Sequence, residues 1–135
     1  MAKTLGDVML AVAKLNETKL HSSAEHQMYS LAIPYDGGRY QAVTAYVQAD
    51  EDDEDWLIVS SAFGHIDDLD PMDLLRRNES FAGIAFVGVE DDGSAVVLAR
   101  IPLESADEEL VVRMVAAVAG YADALEESLI GGDAT

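Results

Sequence analysis

The sequence predicts an α+β domain in which one antiparallel sheet packs with helices, in the order α-β-β-β-α-β-β-α. Three observations lead to this class. Apolar residues recur at helical spacing near both ends of the chain, five shorter apolar runs lie between them, and Asp70-Pro71 marks a helix start between the third run and the fourth. The chain has 135 residues, which is enough for one hydrophobic core, so we expect a single domain over 1–135.

The first helix is expected to begin after Thr4 and to end near Leu15. The side chain of Thr4 can cap the first turn together with Asp7, three residues later. One buried stripe is predicted from apolar residues at helical spacing, which are Leu5, Val8, Met9, Val12 and Leu15.

Three strands follow, expected at 27–33, 40–48 and 56–63. A polar connection at 16–25 precedes them. The first turn between strands contains Gly37 and Gly38, and paired glycines accept the positive φ angles of a tight turn. The second turn is the acidic run 50–55.

The second helix is expected at 71–78, with Asp70 as its N-cap and Pro71 at the first helical position. Asn78 lies where this helix should end. Asparagine tolerates the left-handed conformation of a helix C-terminus, and its side chain can bond a neighbouring backbone group. We therefore predict a structural role for Asn78.

Strands four and five are expected at 81–89 and 94–101, joined by a turn around Gly93. Ser105 and Glu108 have the spacing of a capping box for the last helix. That helix is predicted to stop at a glycine pair, which leaves 131–135 as a flexible tail.

The predicted strands 81–89 and 56–63 are apolar on both of their faces. A sheet that has helices on one side only should alternate between apolar and polar residues. Either helices cover both faces, or a partner subunit or client segment covers the second one. We expect partner binding at the large apolar residues of these strands, namely Trp56, Ile58, Phe81, Ile84 and Phe86.

Residues that could carry chemistry form no recognisable site, so we predict no catalytic residue, no cofactor and no metal. His21 and His26 lie in a polar connection and His65 follows a strand, without the spacing of a zinc site. The acidic run 50–55 lacks the glycine of a calcium loop. No serine lies in a nucleophile elbow, and cysteine is absent.

Acidic side chains number 26 against 8 basic ones, for a formal net charge of −18. Nucleic acids and anionic membranes are poor partners for such a chain, because both attract clustered lysine and arginine. The acidity is interpreted either as a surface adaptation to high salt or as a docking face for a basic partner. The apolar runs are shorter than the roughly 18 residues that span a bilayer, and we expect a cytoplasmic location.

Several short segments carry a family resemblance: Gly38-Arg39, Ser60-Ser61, Leu74-Leu75-Arg76-Arg77-Asn78, the turn at Gly93, Leu98 through Pro102-Leu103, Ala122-Asp123 and Leu125-Glu126. With these segments the chain resembles the type III secretion chaperone-like superfamily and, within it, the YbjN-like group. The resemblance covers nearly the whole chain. It implies a dimer without enzymatic residues that binds an extended polypeptide by strand addition or in apolar grooves.

Three classes of function remain. The preferred one is a non-enzymatic module of chaperone or regulatory type, a homodimer that binds a protein or peptide client. The alternative is a structural assembly subunit whose apolar face is used up in a permanent oligomer. The weaker alternative is a small enzyme that depends on a metal or on histidine.

Overall fold

The computed structural model describes residues 4–23, 28–81 and 83–129. Its elements are α1 (Leu5–Leu15), β1 (His21–Ser23), β2 (Met28–Pro34), β3 (Tyr40–Ala49), β4 (Asp55–His65), α2 (Pro71–Arg77), β5 (Ala85–Val89), β6 (Ser94–Pro102) and α3 (Glu108–Leu129). The predicted order is confirmed. One short strand, β1, is added in the stretch that we predicted as a connection.

The described strands form one antiparallel sheet in the order β1-β2-β3-β4-β6-β5. All three helices contribute buried residues to the main core, among them Met9 of α1, Leu74 of α2 and Val115 of α3. The predicted α+β class is therefore confirmed. Within the described ranges, none of the helices combines the length and the hydropathy that crossing a membrane requires.

The first two helices begin as predicted. The Thr4 hydroxyl accepts the backbone N–H of Asp7 at 3.1 Å, and the Asp7 carboxylate accepts the backbone N–H of Thr4 at 3.3 Å. At the start of α2, the carboxylate of Asp70 accepts the backbone N–H of Met72 at 3.0 Å. Capping groups close in sequence to their helices were therefore predictable from spacing alone.

The start of the last helix differs from the prediction. Ser105 ends a short 3-10 turn, and the carboxylate of Asp107 accepts the backbone N–H of Leu110 at 2.8 Å. The capping box from Ser105 to Glu108 is therefore wrong. Serine and aspartate are similarly good N-caps, so the spacing could not decide between them.

Strand β5 begins four residues later than predicted. Gly83 has a φ angle of 83° and interrupts the extended run, so the chain enters the sheet only at Ala85. Phe81 lies before the strand, where its ring stacks on that of Tyr121 with centroids 4.5 Å apart. It thus packs against the main core.

The side chain of Asn78 satisfies one backbone N–H group of the edge strand β5. Its side-chain oxygen accepts the backbone N–H of Val87 at 2.6 Å. The backbone of Asn78 is right-handed, with φ −59° and ψ −29°, so the left-handed conformation that we predicted is wrong. The side chain bonds a backbone group as predicted, but that group lies in a strand nine residues away and not at the end of the helix.

An ion pair joins α3 to the sheet. The Nε and Nη2 atoms of Arg39 donate to the carboxylate of Asp123 at 3.2 and 3.1 Å, and the side chain of Asp123 is only 10% exposed. The hydrogen bond to Asp123 is the largest cause of the raised pKa of Arg39. Sequence reasoning missed this pair, because 84 positions separate the two residues.

Candidate functional site

The two faces of the sheet have different surroundings. Leu57 and Val59 point toward the helices and are 0% exposed. Ile58 points to the opposite side and belongs to a separate small cluster with Val96 and Leu98, which contains no residue of the described helices. Of the two arrangements that the sequence left open, the described part of the chain has the one in which helices cover a single face.

We call the other side of the sheet the open face and define it by Tyr46, Trp56, Ile58, Phe86, Val96, Leu98 and Arg100. The strand register aligns these residues across four strands. Ile58 lies opposite Tyr46 on one side and Arg100 on the other, and Leu98 lies opposite Phe86. The open face therefore forms one continuous apolar band.

Aromatic rings provide the cover of this band. Ile58, Val96 and Leu98 are at most 9% exposed, and the partly buried Tyr46 and Phe86 pack against them. Aromatic rings that cover other apolar residues and are themselves only partly buried are suited to contact a partner. The apolar band thus consists of side chains of the sheet alone.

Two grooves cross the open face. The larger has a volume of about 370 Å³ and is lined by Gln48, Ala49, Asp50, Trp56, Ile58 and Arg100. The smaller has a volume of about 220 Å³, with Tyr46, Phe86, Leu98, Glu90 and Arg100 among its walls. Because Arg100 borders both grooves, it lies at their junction.

Asp50 fixes the aromatic wall of the larger groove. Its carboxylate accepts the indole N–H of Trp56 at 2.8 Å and the backbone N–H groups of Asp52 and Glu54 at 2.8 and 3.0 Å. The bond from Trp56 is the largest of the contributions that hold the pKa of Asp50 below its ordinary value. An ionised carboxylate therefore orients the indole ring at neutral pH.

Arg100 supplies the positive charge of the open face. Its guanidinium carbon lies 5.4 Å from the ring centroid of Phe86, a cation–π geometry. In the described part of the chain, no carboxylate forms an ion pair with Arg100. Its charge is therefore available to a ligand.

The structure brings together three of the five residues that the sequence suggested for partner binding. Trp56, Ile58 and Phe86 lie on the open face. Ile84 is 45% exposed but precedes β5, and Phe81 packs against the main core. The sequence prediction missed Tyr46, Val96, Leu98 and Arg100, because only the strand register shows that they neighbour the others.

A second apolar surface lies beside helix α2 and the edge strand β5. Met72, Leu75 and Val89 are 53%, 63% and 50% exposed there. Leu75 and Val89 line a groove of about 220 Å³ whose walls also include Leu74 and Val87. We call this surface the α2–β5 patch. It adjoins the open face at β5, because Gly88 and Val89 line both its groove and the smaller groove of the open face.

The residues considered for chemistry lie apart from one another. His21 is on β1, and the Nε2 atom of His65 lies 3.0 Å from the carbonyl oxygen of Asp92. His26 lies outside the described residues. Among those that are described, no group of three histidines or carboxylates is placed to hold a metal ion.

One family model matches most of the chain. The model of the Tir chaperone protein (CesT) family matches residues 19–126, a range that begins before β1 and ends within α3. No curated protein sequence matches the chain.

Solved structures share the fold at low sequence identity. The ExsC–ExsE complex matches with a TM-score of 0.62 and 20% identity, over 96% of this chain and 97% of that chain. The HopA1–SchA chaperone–effector complex matches with a TM-score of 0.61 and 17% identity, over 90% of this chain and 92% of that chain. The Yersinia pestis type III secretion chaperone SycH, in complex with a stable fragment of YscM2, matches with a TM-score of 0.57 and 12% identity, over 90% of this chain and 99% of that chain. The predicted chaperone-like fold is confirmed, and the YbjN-like group stays a prediction.

Proposed function

The chain belongs to the Tir chaperone protein (CesT) family, and on this premise we propose that it is a non-enzymatic chaperone-type module that binds a segment of a client protein on its open face. The observation that carries the proposal is the apolar band with two grooves, which the described helices leave uncovered. We propose that it works in the cytoplasm, where a client would be held after synthesis.

The open face suits an extended polypeptide better than a small molecule. Its two grooves share Arg100 and extend from Asp50 at one end to Glu90 at the other, so a ligand that filled both would have to be elongated. Trp56, Phe86 and Tyr46 would supply aromatic anchors, the residue type that carries much of the binding energy in protein interfaces. The HopA1–SchA structure is a chaperone–effector complex, which supports a protein client by analogy.

We propose that the protein is a homodimer and that the α2–β5 patch is its interface. A two-fold dimer needs one patch that contacts its own copy, and Met72, Leu75 and Val89 form an exposed apolar surface beside an edge strand. A contact there would leave the larger groove of the open face free, because that groove shares no residue with the patch. A dimer could therefore bind clients on both of its subunits.

The presence of two apolar surfaces favours a client-binding module over a structural assembly subunit. One permanent contact through the α2–β5 patch would leave the larger groove of the open face unused, whereas an assembly subunit would need its apolar surface for the oligomer alone. An enzyme is supported less, since the histidines lie apart and line neither of the two grooves.

The test of client binding is capture from native lysate of the source organism at physiological ionic strength, with wild type compared with Phe86→Ser. We expect one stoichiometric protein with wild type and its loss with Phe86→Ser, because the ring covers the apolar band. Leu10→Ser is the matched control, since Leu10 is 45% exposed on α1. Trp56→Ser is a second open-face variant in case Phe86→Ser does not fold. Equal capture by all variants would contradict the proposal.

Light scattering tests the dimer separately. Wild type should have twice the mass of the chain, and Leu75→Asp should have the mass of one chain, because a carboxylate would be buried in the contact. Leu10→Asp should remain dimeric. A monomeric wild type, or a dimer that survives Leu75→Asp, would contradict the proposed patch.

A further inference from the structure

The charges around the open face follow a pattern along the strands. Asp50 lines the groove at one end, where the hairpin between β3 and β4 adds the carboxylates of 51–55. Glu90 lines the groove at the other end, where the hairpin between β5 and β6 adds Asp91 and Asp92. In the described chain none of these carboxylates pairs with a lysine or an arginine. Both ends are therefore free to attract cations.

The two acidic ends are opposite one another. The β3–β4 hairpin leads into β4 just before Trp56, and the far end of β4 pairs with the start of β6, where His65 is opposite Ser94. From Trp56 to Ala62 the strand advances about 20 Å, at roughly 3.3 Å for each residue. A ligand that spans the apolar band is therefore about six extended residues long.

Between the two acidic ends the band has the opposite sign, at a point opposite Ile58 and nearer to Trp56 than to Ala62. Arg100 borders both grooves and is the basic residue among those that define the open face. A lysine or arginine of a ligand that lay over it would be repelled, and an apolar side chain would not. The face is thus negative, positive and negative along its length.

We propose that the client segment bound by the open face is an extended stretch of about six mainly apolar residues with lysine or arginine at both ends and no basic residue in its middle. This inference rests on the proposed function and specifies the chemistry of its client. The apolar residues fill the two grooves, and the flanking cations lie against the acidic hairpins.

The same charges disfavour a second copy of this chain as the occupant. Because both ends of the open face are acidic, two copies placed face to face would bring carboxylates together in either orientation along the strands. The formal net charge of −18 for each chain adds a general repulsion. Self-association is therefore expected at the α2–β5 patch and not at the open face.

Three labelled peptides test the inference by fluorescence anisotropy at physiological ionic strength. The first has a six-residue stretch of leucine and serine with two lysines at each end. The second has the same composition with its four lysines in the middle, and the third has aspartates in place of the terminal lysines. We expect the first to bind at least about tenfold more tightly than the second, since several ion pairs are gained at the ends and one repulsion is avoided.

Equal affinities of the two lysine peptides would overturn the inference, because attraction to the net charge alone would then explain binding. Equal binding of all three would also overturn it but would leave the proposed function standing, since the face would accept segments without regard to charge. Binding of none would overturn it, and the capture experiment would decide the proposed function separately.

Two double variants locate the charges. Glu51→Gln with Glu90→Gln neutralises one carboxylate at each end of the open face, and Glu17→Gln with Glu79→Gln makes the same change in net charge elsewhere. We expect the first pair to weaken binding of the lysine-ended peptide several-fold and the second pair to leave it nearly unchanged. Equal effects would overturn the inference, as would oligomers that dissociate on Phe86→Ser and so show a second copy on this face.

Discussion

Leu57 and Ile58 are neighbours in β4, and both are nearly inaccessible to water, at 0% and 4% exposed. Leu57 lies in the main core with residues of all three helices, whereas Ile58 lies in a cluster against which Tyr46 and Phe86 pack. The same degree of burial thus arises from two layers of structure on one face and from side chains of a single layer on the other. A low exposed fraction of one residue therefore does not show that its face of the sheet is covered by a second layer of structure.

The largest expected effect comes from comparing these two neighbours directly. Leu57→Ala should lower the free energy of unfolding by about 4 kcal/mol, because the surrounding helices cannot close the cavity. Ile58→Ala should cost about 2 kcal/mol, because the rings that cover it can move into the space. Urea denaturation measures both values, and equal losses would show that the open face is packed as firmly as the helix face.

Asn78 lies at the edge of the sheet, and we expect it to affect stability and not binding. Asn78→Ala removes the acceptor for the N–H of Val87 and should cost about 1 kcal/mol. Asn78→Asp keeps an acceptor oxygen and serves as the control. Peptide binding should stay the same in both variants, and lost binding at unchanged stability would instead assign Asn78 to the functional surface.

Salt should act in opposite directions on the fold and on the open face. From about 0.05 M to about 2 M NaCl, screening of repulsion among the carboxylates should stabilise the fold by about 1 kcal/mol and raise Tm by about 4 °C. Over the same range, binding of the lysine-ended peptide should weaken. A melting temperature that does not change with salt concentration would show that repulsion among the carboxylates does not lower the stability of the fold.

The smallest expected effect concerns Asp50 and the indole of Trp56. Because the pKa of Asp50 is lowered in the folded state, its bonds stabilise the loop above the unfolded pKa of about 3.9 and are lost as the pH falls through the folded pKa. Trp56 emission should therefore change below about pH 4 in wild type and less in Asp50→Asn. The comparison uses the range in which circular dichroism shows an intact fold, and identical profiles would contradict the role of Asp50.

Local patterns predicted most of the fold. The caps from Thr4 and Asp70 and the glycine turn at Gly37 and Gly38, with φ angles of 79° and 77°, involve residues close in sequence. Alternation along a strand also indicated a second apolar face. The pairing of Arg39 with Asp123 depends instead on the packing of distant elements, which no local pattern contains.

The candidate site was predictable only in part for the same reason. Trp56 and Ile58 share one strand, so alternation alone placed them on one face. Their neighbours Tyr46, Leu98 and Arg100 come from other strands and are brought there by the register. Ile84 was wrongly grouped with them, because the positive φ angle at Gly83 ends the extended run that alternation assumes.

The most direct test of the open face as a binding surface uses its own tryptophan. Trp56 is the single tryptophan of the chain, and the α2–β5 patch does not include it. Acrylamide quenching of its fluorescence should be measured with and without the lysine-ended peptide at a concentration where anisotropy shows saturation. We predict that quenching falls on binding, because the peptide covers the groove that Trp56 lines. Quenching that stays the same at saturation would contradict a client site on the open face.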